Sequence, residues 1–142
     1  MVKPTQQLRD VMTPDPVILE ASATVADAAR RMRERDVGDV LVQHDGELCG
    51  IVTDRDLVVR CIAEAQDPRT QTLEHLCSQD LATLAADASV DDAVELMRTR
   101  AIRRLPIVDA GTPLGIVSLG DLAKARDPQS ALGQISAAPA TR

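Results

Sequence analysis

Apolar residues recur along this chain in two rhythms, and both halves run through them in the same order. Val25, Ala28, Ala29 and Met32 follow an i, i+3, i+4, i+7 spacing, which predicts an amphipathic helix. Val90, Ala93, Val94 and Met97 repeat it. Ahead of the first helix, a short apolar run at 17–19 follows Pro14 and Pro16, as suits a strand entered from extended backbone. After each helix come two apolar runs, 40–43 with 48–52 and then 105–108 with 114–117. Asp45-Gly46 and Ala110-Gly111 occupy the gaps and predict hairpin turns. A further helix starts near Asp54 and carries Leu57, Val58, Cys61 and Ile62 on one side; its counterpart from about Leu119 is shorter. Each half therefore predicts β-α-β-β-α.

The halves match at a fixed offset of 65 residues without a gap. The stretch from Thr24 to Arg35 aligns with that from Ser89 to Arg100, and Gly50-Ile-Val-Thr-Asp-Arg-Asp-Leu aligns with Gly115-Ile-Val-Ser-Leu-Gly-Asp-Leu. So regular a duplication predicts two copies of one unit about a pseudo-twofold axis, with two related clefts between them. The expected boundaries are 8–66 and 73–126, with a loose polar lead-in at 1–8. Residues 65–72, containing Asp67-Pro68, read as a linker. The Ala-, Ser-, Pro- and Gly-rich stretch 127–142 reads as a mobile tail.

Composition narrows the function. At 142 residues, 44% hydrophobic and 27% charged, the chain can build a globular core. A formal net charge of −6 argues against general nucleic-acid binding, which needs a basic face. No apolar run approaches the ~18 residues of a membrane span, and the N-terminus lacks a signal-peptide core, so a cytoplasmic location is expected. With no Phe, Trp or Tyr, any bound base must lie between aliphatic side chains.

Two motifs stand directly after Gly-Ile-Val strands: Thr53-Asp-Arg-Asp56 and Ser118-Leu-Gly-Asp121. The plain reading is a capping box, in which hydroxyl and carboxylate satisfy free backbone donors. Thr24-Val-Ala-Asp27 and Ser89-Val-Asp-Asp92 fit that role equally well, so spacing alone does not separate a cap from a ligand site.

Position in the repeat adds information. Gly-x-x-T/S-x-x-D after the third strand, twice, beside Val11-Met12-Thr13-Pro14 and Arg103-Arg-Leu-Pro-Ile-Val-Asp109, resembles the CBS-domain family, in particular stand-alone CBS pairs (Bateman modules) of the bacterial hypoxic-response type. The resemblance covers roughly residues 8–126. It implies an α/β (α+β) fold of two tandem CBS units. It also implies that adenine nucleotides or related adenosyl compounds bind between the copies, as regulatory ligands and not as cofactors. By that similarity Asp56 and Asp121 accept hydrogen bonds from ribose hydroxyls, a role suited to an acceptor-only carboxylate. One cleft would use Thr13, Ile18, Val37, Gly38, Arg103, Arg104, Ile116, Ser118 and Asp121; the other Ile51, Thr53, Arg55, Asp56 and Ile102. Arg103 and Arg104 match positions that offer positive charge to phosphates, whereas the first copy has Gly38 and Asp39 there. Tighter binding is expected at the Asp121 cleft. The plain alternative for both arginines is a solvated strand end.

Cysteine and histidine supply a rival chemistry. His44 and Cys49 flank the first hairpin, and His75 lies near Cys77, yet no C-x-x-C or H-x-x-x-H spacing marks a zinc site and none is expected. Three cysteines at irregular spacing do not suggest a disulfide framework, and Cys61 reads as core. No nucleophile–base pair, Walker loop or dinucleotide fingerprint is present, so a binding module and not an enzyme is expected. The leading expectation is a ligand-sensing regulator acting on an unknown effector. The alternative is an interaction or dimerisation module with unoccupied clefts. The broad apolar stripes of the helices, including Leu96, Val58, Val59 and Ile62, predict a homodimer.

Overall fold

The computed structural model describes residues 6–76 and 81–138. In chain order its elements are α1 (Leu8–Val11), β1 (Thr13–Pro14), β2 (Ile18–Glu20), α2 (Val25–Arg35), β3 (Asp39–His44), β4 (Glu47–Thr53) and α3 (Asp54–Leu57). A π-helical turn (Val58–Ile62) and a 3₁₀ turn (Leu73–His75) follow, then α4 (Val90–Arg100), β5 (Arg104–Asp109), β6 (Thr112–Ser118), α5 (Leu119–Arg126) and α6 (Ala131–Ala137). The elements divide into two compact units: residues 16–81, and residues 82–142 together with 1–15.

In the N-terminal unit β2 runs parallel to β3, and β3 pairs antiparallel with β4. Asp45 and Gly46 both take positive φ, as the expected two-residue hairpin requires. Thr24 caps α2 by accepting from the Asp27 amide. Val25, Ala28 and Met32 of α2 then meet Val40, Val42 and Val52 of the sheet in one buried cluster, while Ala29 stays exposed. Leu57 and Cys61 join that cluster, but Val58 and Ile62 do not, being 59% and 56% exposed. The expected four-residue stripe is thus only half buried. The backbone widens after Leu57, with the Ala63 amide reaching Val58 O at 2.8 Å, and this turn directs Val58 and Ile62 outward.

The stretch read as a linker is ordered at both ends. Asp67 holds Arg69 through backbone and side chain, and Thr72 bridges Thr24. Leu73 and Leu76 complete the hydrophobic core of the N-terminal unit.

The C-terminal unit repeats the helix and hairpin but not the sheet order: β6 is central, with β1 and β5 antiparallel on either side. Ala110 and Gly111 again form a positive-φ hairpin. Where a strand before α4 was expected, only a single bridge joins Leu84 to Ile107. Val90, Ala93, Met97, Leu105, Ile107, Val117 and Leu122 form the core, together with Leu8 from the far end of the chain. Leu8, expected in a loose lead-in, is fully buried; its amide donates to Ala88 O at 2.9 Å. Leu8 and Leu73 occupy equivalent positions of the repeat, so the segment leading each repeat completes the other repeat's unit. Burying each leucine contributes about 1.5–3 kcal/mol.

The helix after Ser118 is the shorter one, as expected, with eight residues against four in α3 plus five in the π turn, but it is regular where its counterpart is not. One further expectation changes. The supposed tail contains α6, capped by Ser130 and packed on α5.

Candidate functional site

Each third strand ends in a hydroxyl residue that starts a helix, and local hydrogen bonding explains why. In the C-terminal unit the Asp121 amide donates to Ser118 Oγ (3.1 Å) and the Ser118 amide donates to Asp121 Oδ2 (2.9 Å). In the N-terminal unit the Asp56 amide donates to Thr53 Oγ1 (3.2 Å), while the Thr53 amide donates to Asp56 Oδ2 (2.8 Å). Asp27 with Thr24 and Asp92 with Ser89 make the same box. All four motifs are caps. What separates them is depth: the Asp121 side chain is 12% exposed and that of Asp56 23%, against 41% for Asp27. Capping engages only Oδ2 of Asp121. The other oxygen, Oδ1, lies 3.7 Å from Lys124 Nζ. A carboxylate with one oxygen in a cap retains acceptor capacity on the other.

Strand register assembles the rest of the C-terminal set. Arg104 stands opposite Ser118, and Thr13 opposite Ile116. Leu105 and Val117 point into the core, so alternation places Arg104, Ile116 and Ser118 on the other face of the sheet. Gly115 allows β1 to come this close, since a methyl group there would lie 2.6 Å from Thr13 O. Thr13, Arg104, Ile116, Ser118 and Asp121 therefore share one end of one unit.

Arg103 does not share that face. It lines a groove of about 430 Å³ between α4 and α5, with Val94, Met97, Ile102, Leu122 and Arg126. Its carbonyl receives the Leu119 amide at 2.9 Å, which ties β5 to the start of α5. The two arginines expected to act as a pair are thus separated: Arg104 is the first residue of β5, opposite Ser118, whereas Arg103 precedes the strand and lines the groove. Ile102, assigned from the resemblance to the second cleft, lines the same groove.

In the N-terminal unit Ile18, Leu41 and Ile51 form a row across β2, β3 and β4. Asp39 pairs with Thr53 as Arg104 does with Ser118, and the Asp54 amide donates to Gly38 O (2.9 Å) as the Leu119 amide does to Arg103 O. Val37 packs on the core and Gly38 abuts Asp54, whose carboxylate would lie 3.1 Å from an added methyl group. Arg55 is exposed, its amide bonded to Asp54 Oδ1, and Arg60 Nε lies 3.7 Å from Asp56 Oδ1. The residues assigned to the first cleft thus divide by unit: Ile18, Val37 and Gly38 are N-terminal, the others C-terminal.

Equivalent ends consequently carry opposite charge. Around Thr53 the acidic residues Asp39, Asp54 and Asp56 outnumber Arg55 and Arg60. Around Ser118 the cations Arg104 and Lys124 outnumber Asp121. Lys124 and Arg60 escaped the sequence reading, although helical spacing from each aspartate would have revealed them.

Among the described residues, no group of three or more His, Cys, Asp or Glu side chains could hold a metal ion. His44 Nδ1 lies 3.2 Å from Asp45, and neither Cys49 nor Cys61 is joined in a disulfide. Cys77 lies outside the described residues. No described helix is long and apolar enough to cross a membrane.

Comparison with known proteins agrees with this architecture. A CBS-domain protein of Bacillus subtilis, YhcV, is 39% identical over 116 residues, covering 82% of each chain. The crystal structure of hypoxic response protein I with two coordinated zinc ions is 31% identical with a TM-score of 0.75, covering 84% of this chain and 98% of that one. The CBS pair of protein MJ0100, solved with 5′-methylthioadenosine and S-adenosyl-L-methionine, has a TM-score of 0.78 at 21% identity over 89% of this chain and all of that one, a likeness of fold alone. The CBS-domain profile itself matches twice, at residues 8–62 and 73–127, and the chain belongs to the CBS-domain family as a tandem pair.

Proposed function

We propose that this CBS pair is a regulatory module that binds an adenine nucleotide or related adenosyl ligand. Its stronger site is at the Ser118–Asp121 end of the C-terminal unit. The observation that carries this reading is the charge reversal between two otherwise equivalent capping boxes: an anionic adenosyl ligand gains attraction from Arg104 and Lys124 at one end and meets Asp39 and Asp54 at the other. Asp121 offers its second carboxylate oxygen to the ribose, Ser118 and the first turn of α5 donate toward phosphate, and the aliphatic Ile116 contacts the base. In the N-terminal unit, Thr53, Arg55 and Asp56 form the weaker site, with Ile51 on the strand before them. The adenosyl ligands bound by the fold-mate support the ligand class.

The matched family brings no catalytic domain, and we read the chain as a sensor for a separate effector protein. The outward Val58, Val59 and Ile62 support a homodimer.

A thermal-shift panel of adenosine, AMP, ADP, ATP and S-adenosylmethionine tests the reading. A ligand at 100 times its Kd adds ~2.7 kcal/mol of stability. An unchanged melting temperature across the panel at millimolar ligand would reject it in favour of an interaction module.

A further inference from the structure

The C-terminal helix touches the candidate site in a way the repeat does not call for. After α5, Asp127 to Ser130 make a tight turn, with the Ser130 amide and hydroxyl both donating to Asp127 O (3.1 and 2.7 Å). The chain then doubles back, so that the last turn of α6 lies against the first turn of α5. A methyl group on Gly120 would come within 2.5 Å of Ser136 Oγ, 3.1 Å of Ser136 Cβ and 3.7 Å of Ser118 Oγ. Gly120 falls between Ser118 and Asp121 of the motif. The first repeat carries Arg55 at that position, where no side chain so large would admit a crossing helix.

Two properties make this contact both competitive and weak. The last carbonyls of α6 bring partial negative charge to the first turn of α5, whose amides are the groups a phosphate would use. Meanwhile α6 turns small residues inward: Gly133 is buried and Ser136 half-buried, while Leu132 and Ile135 remain 42% and 71% exposed. Seven residues are too few for a helix to persist alone, and this one buries little apolar surface in docking.

We propose that α6 is a displaceable cap, acting in cis, that competes with an anionic adenosyl ligand for the Ser118–Asp121 end. The inference rests on the ligand reading above. Docked, α6 lowers the apparent affinity; released, it exposes the first turn of α5.

The test uses two full-length variants whose changes lie at the far end of α6 from the motif. In Gly133→Leu the added side chain meets Asp127 O and Pro128 Cα, at 2.5 and 3.1 Å from its Cβ, and levers the helix away. In Ser130→Ala the helix loses the cap that its Gly133 amide uses. Hydrogen exchange in ligand-free protein should be slower at residues 134–137 of the unaltered chain than in either variant. Calorimetric titration with AMP and with ATP should then show at least roughly fivefold tighter binding by Gly133→Leu, the low end of allosteric coupling, and a smaller gain in Ser130→Ala. Equal affinities in all three proteins, with α6 released in the variants, would overturn the cap and leave the ligand reading standing. Fast exchange of α6 in the unaltered chain would also overturn the cap. Absence of binding by all three would overturn the ligand reading, and the cap with it.

Discussion

The Thr53–Asp56 and Ser118–Asp121 ends share one backbone plan and differ in nearly everything a ligand would feel. Each has a hydroxyl cap, a carboxylate three residues on, and an amide of the next helix bonded to the residue before the second strand. Yet one is ringed by Asp39 and Asp54 and leads into a π turn, whereas the other faces Arg104 and Lys124 and leads into a regular helix met by α6. Duplication preserves what the fold needs, namely satisfied helix amides. It leaves side chains pointing off the cap free to diverge. A carboxylate in a capping box is therefore evidence for the scaffold, and only the charge around it speaks to function.

The largest expected effect probes the equivalence of the two units. Leu8→Ala and Leu73→Ala should each cost about 2–5 kcal/mol in chemical denaturation, because each removes a fully buried side chain. Hydrogen exchange should locate the first loss in the C-terminal unit and the second in the N-terminal one. Losses confined to the N-terminal unit in both cases would contradict the exchange of leading segments.

Next comes the functional asymmetry. Asp121→Ala should weaken adenosyl-ligand binding by about 1.5–3 kcal/mol, the range for hydrogen bonds to a charged group, and lower stability by ~0.5–2 kcal/mol through the lost cap. Asp56→Ala should cost similar stability with little effect on the tighter site. Asp92→Ala, a cap at an exposed position, should leave affinity intact. Equal affinity losses in Asp121→Ala and Asp92→Ala would reduce the motif to its capping role.

A finer contrast separates the adjacent arginines. Arg104 shares the face of Ser118 and Arg103 lies in the groove between helices. Arg104→Ala should erase most of the preference for AMP over adenosine, and added salt should do so in part. Arg103→Ala should leave that preference in place. The reverse pattern in a titration series would reassign the phosphate contact.

The smallest effect concerns acid stability. The Asp27 carboxyl is held below its ordinary value of 3.8, first by the Thr24 amide, and Asp67 is lowered chiefly by the Arg69 side chain. Glu95, lowered from 4.5 mainly by its hydrogen bond with Arg98, belongs to the C-terminal unit. A depressed folded-state pKa contributes stability that is present above the unfolded value and lost as pH falls through the folded one. Stability should therefore decline below about pH 4, with exchange rising first in the N-terminal unit, which holds two of these three groups. All three carboxylates are exposed, so the slope should be shallow and should flatten in Asp27→Asn.

Local physics made much of this molecule legible from the chain itself. The 65-residue repeat, the amphipathic spacing from Val25 to Met32, the two positive-φ hairpins and the four capping boxes each depend on residues within a few positions of one another. Such features survive whatever lies around them. The family resemblance followed from the order of those features. Tertiary structure decided the rest, because it turns on which distant residue fills a space. Leu8 looks like part of a polar lead-in until the C-terminal core needs a side chain; Val58 and Ile62 match a core stripe until a π turn rotates them out. Arg103 and Arg104 are neighbours in sequence, but only Arg104 lies in β5 opposite Ser118, while Arg103 precedes the strand and lines the groove. The Ala- and Ser-rich segment reads as a tail because small residues carry almost no periodic signal. Gly120 leaves room for Ser136 to lie against α5, and that fit exists only once α5 is in place.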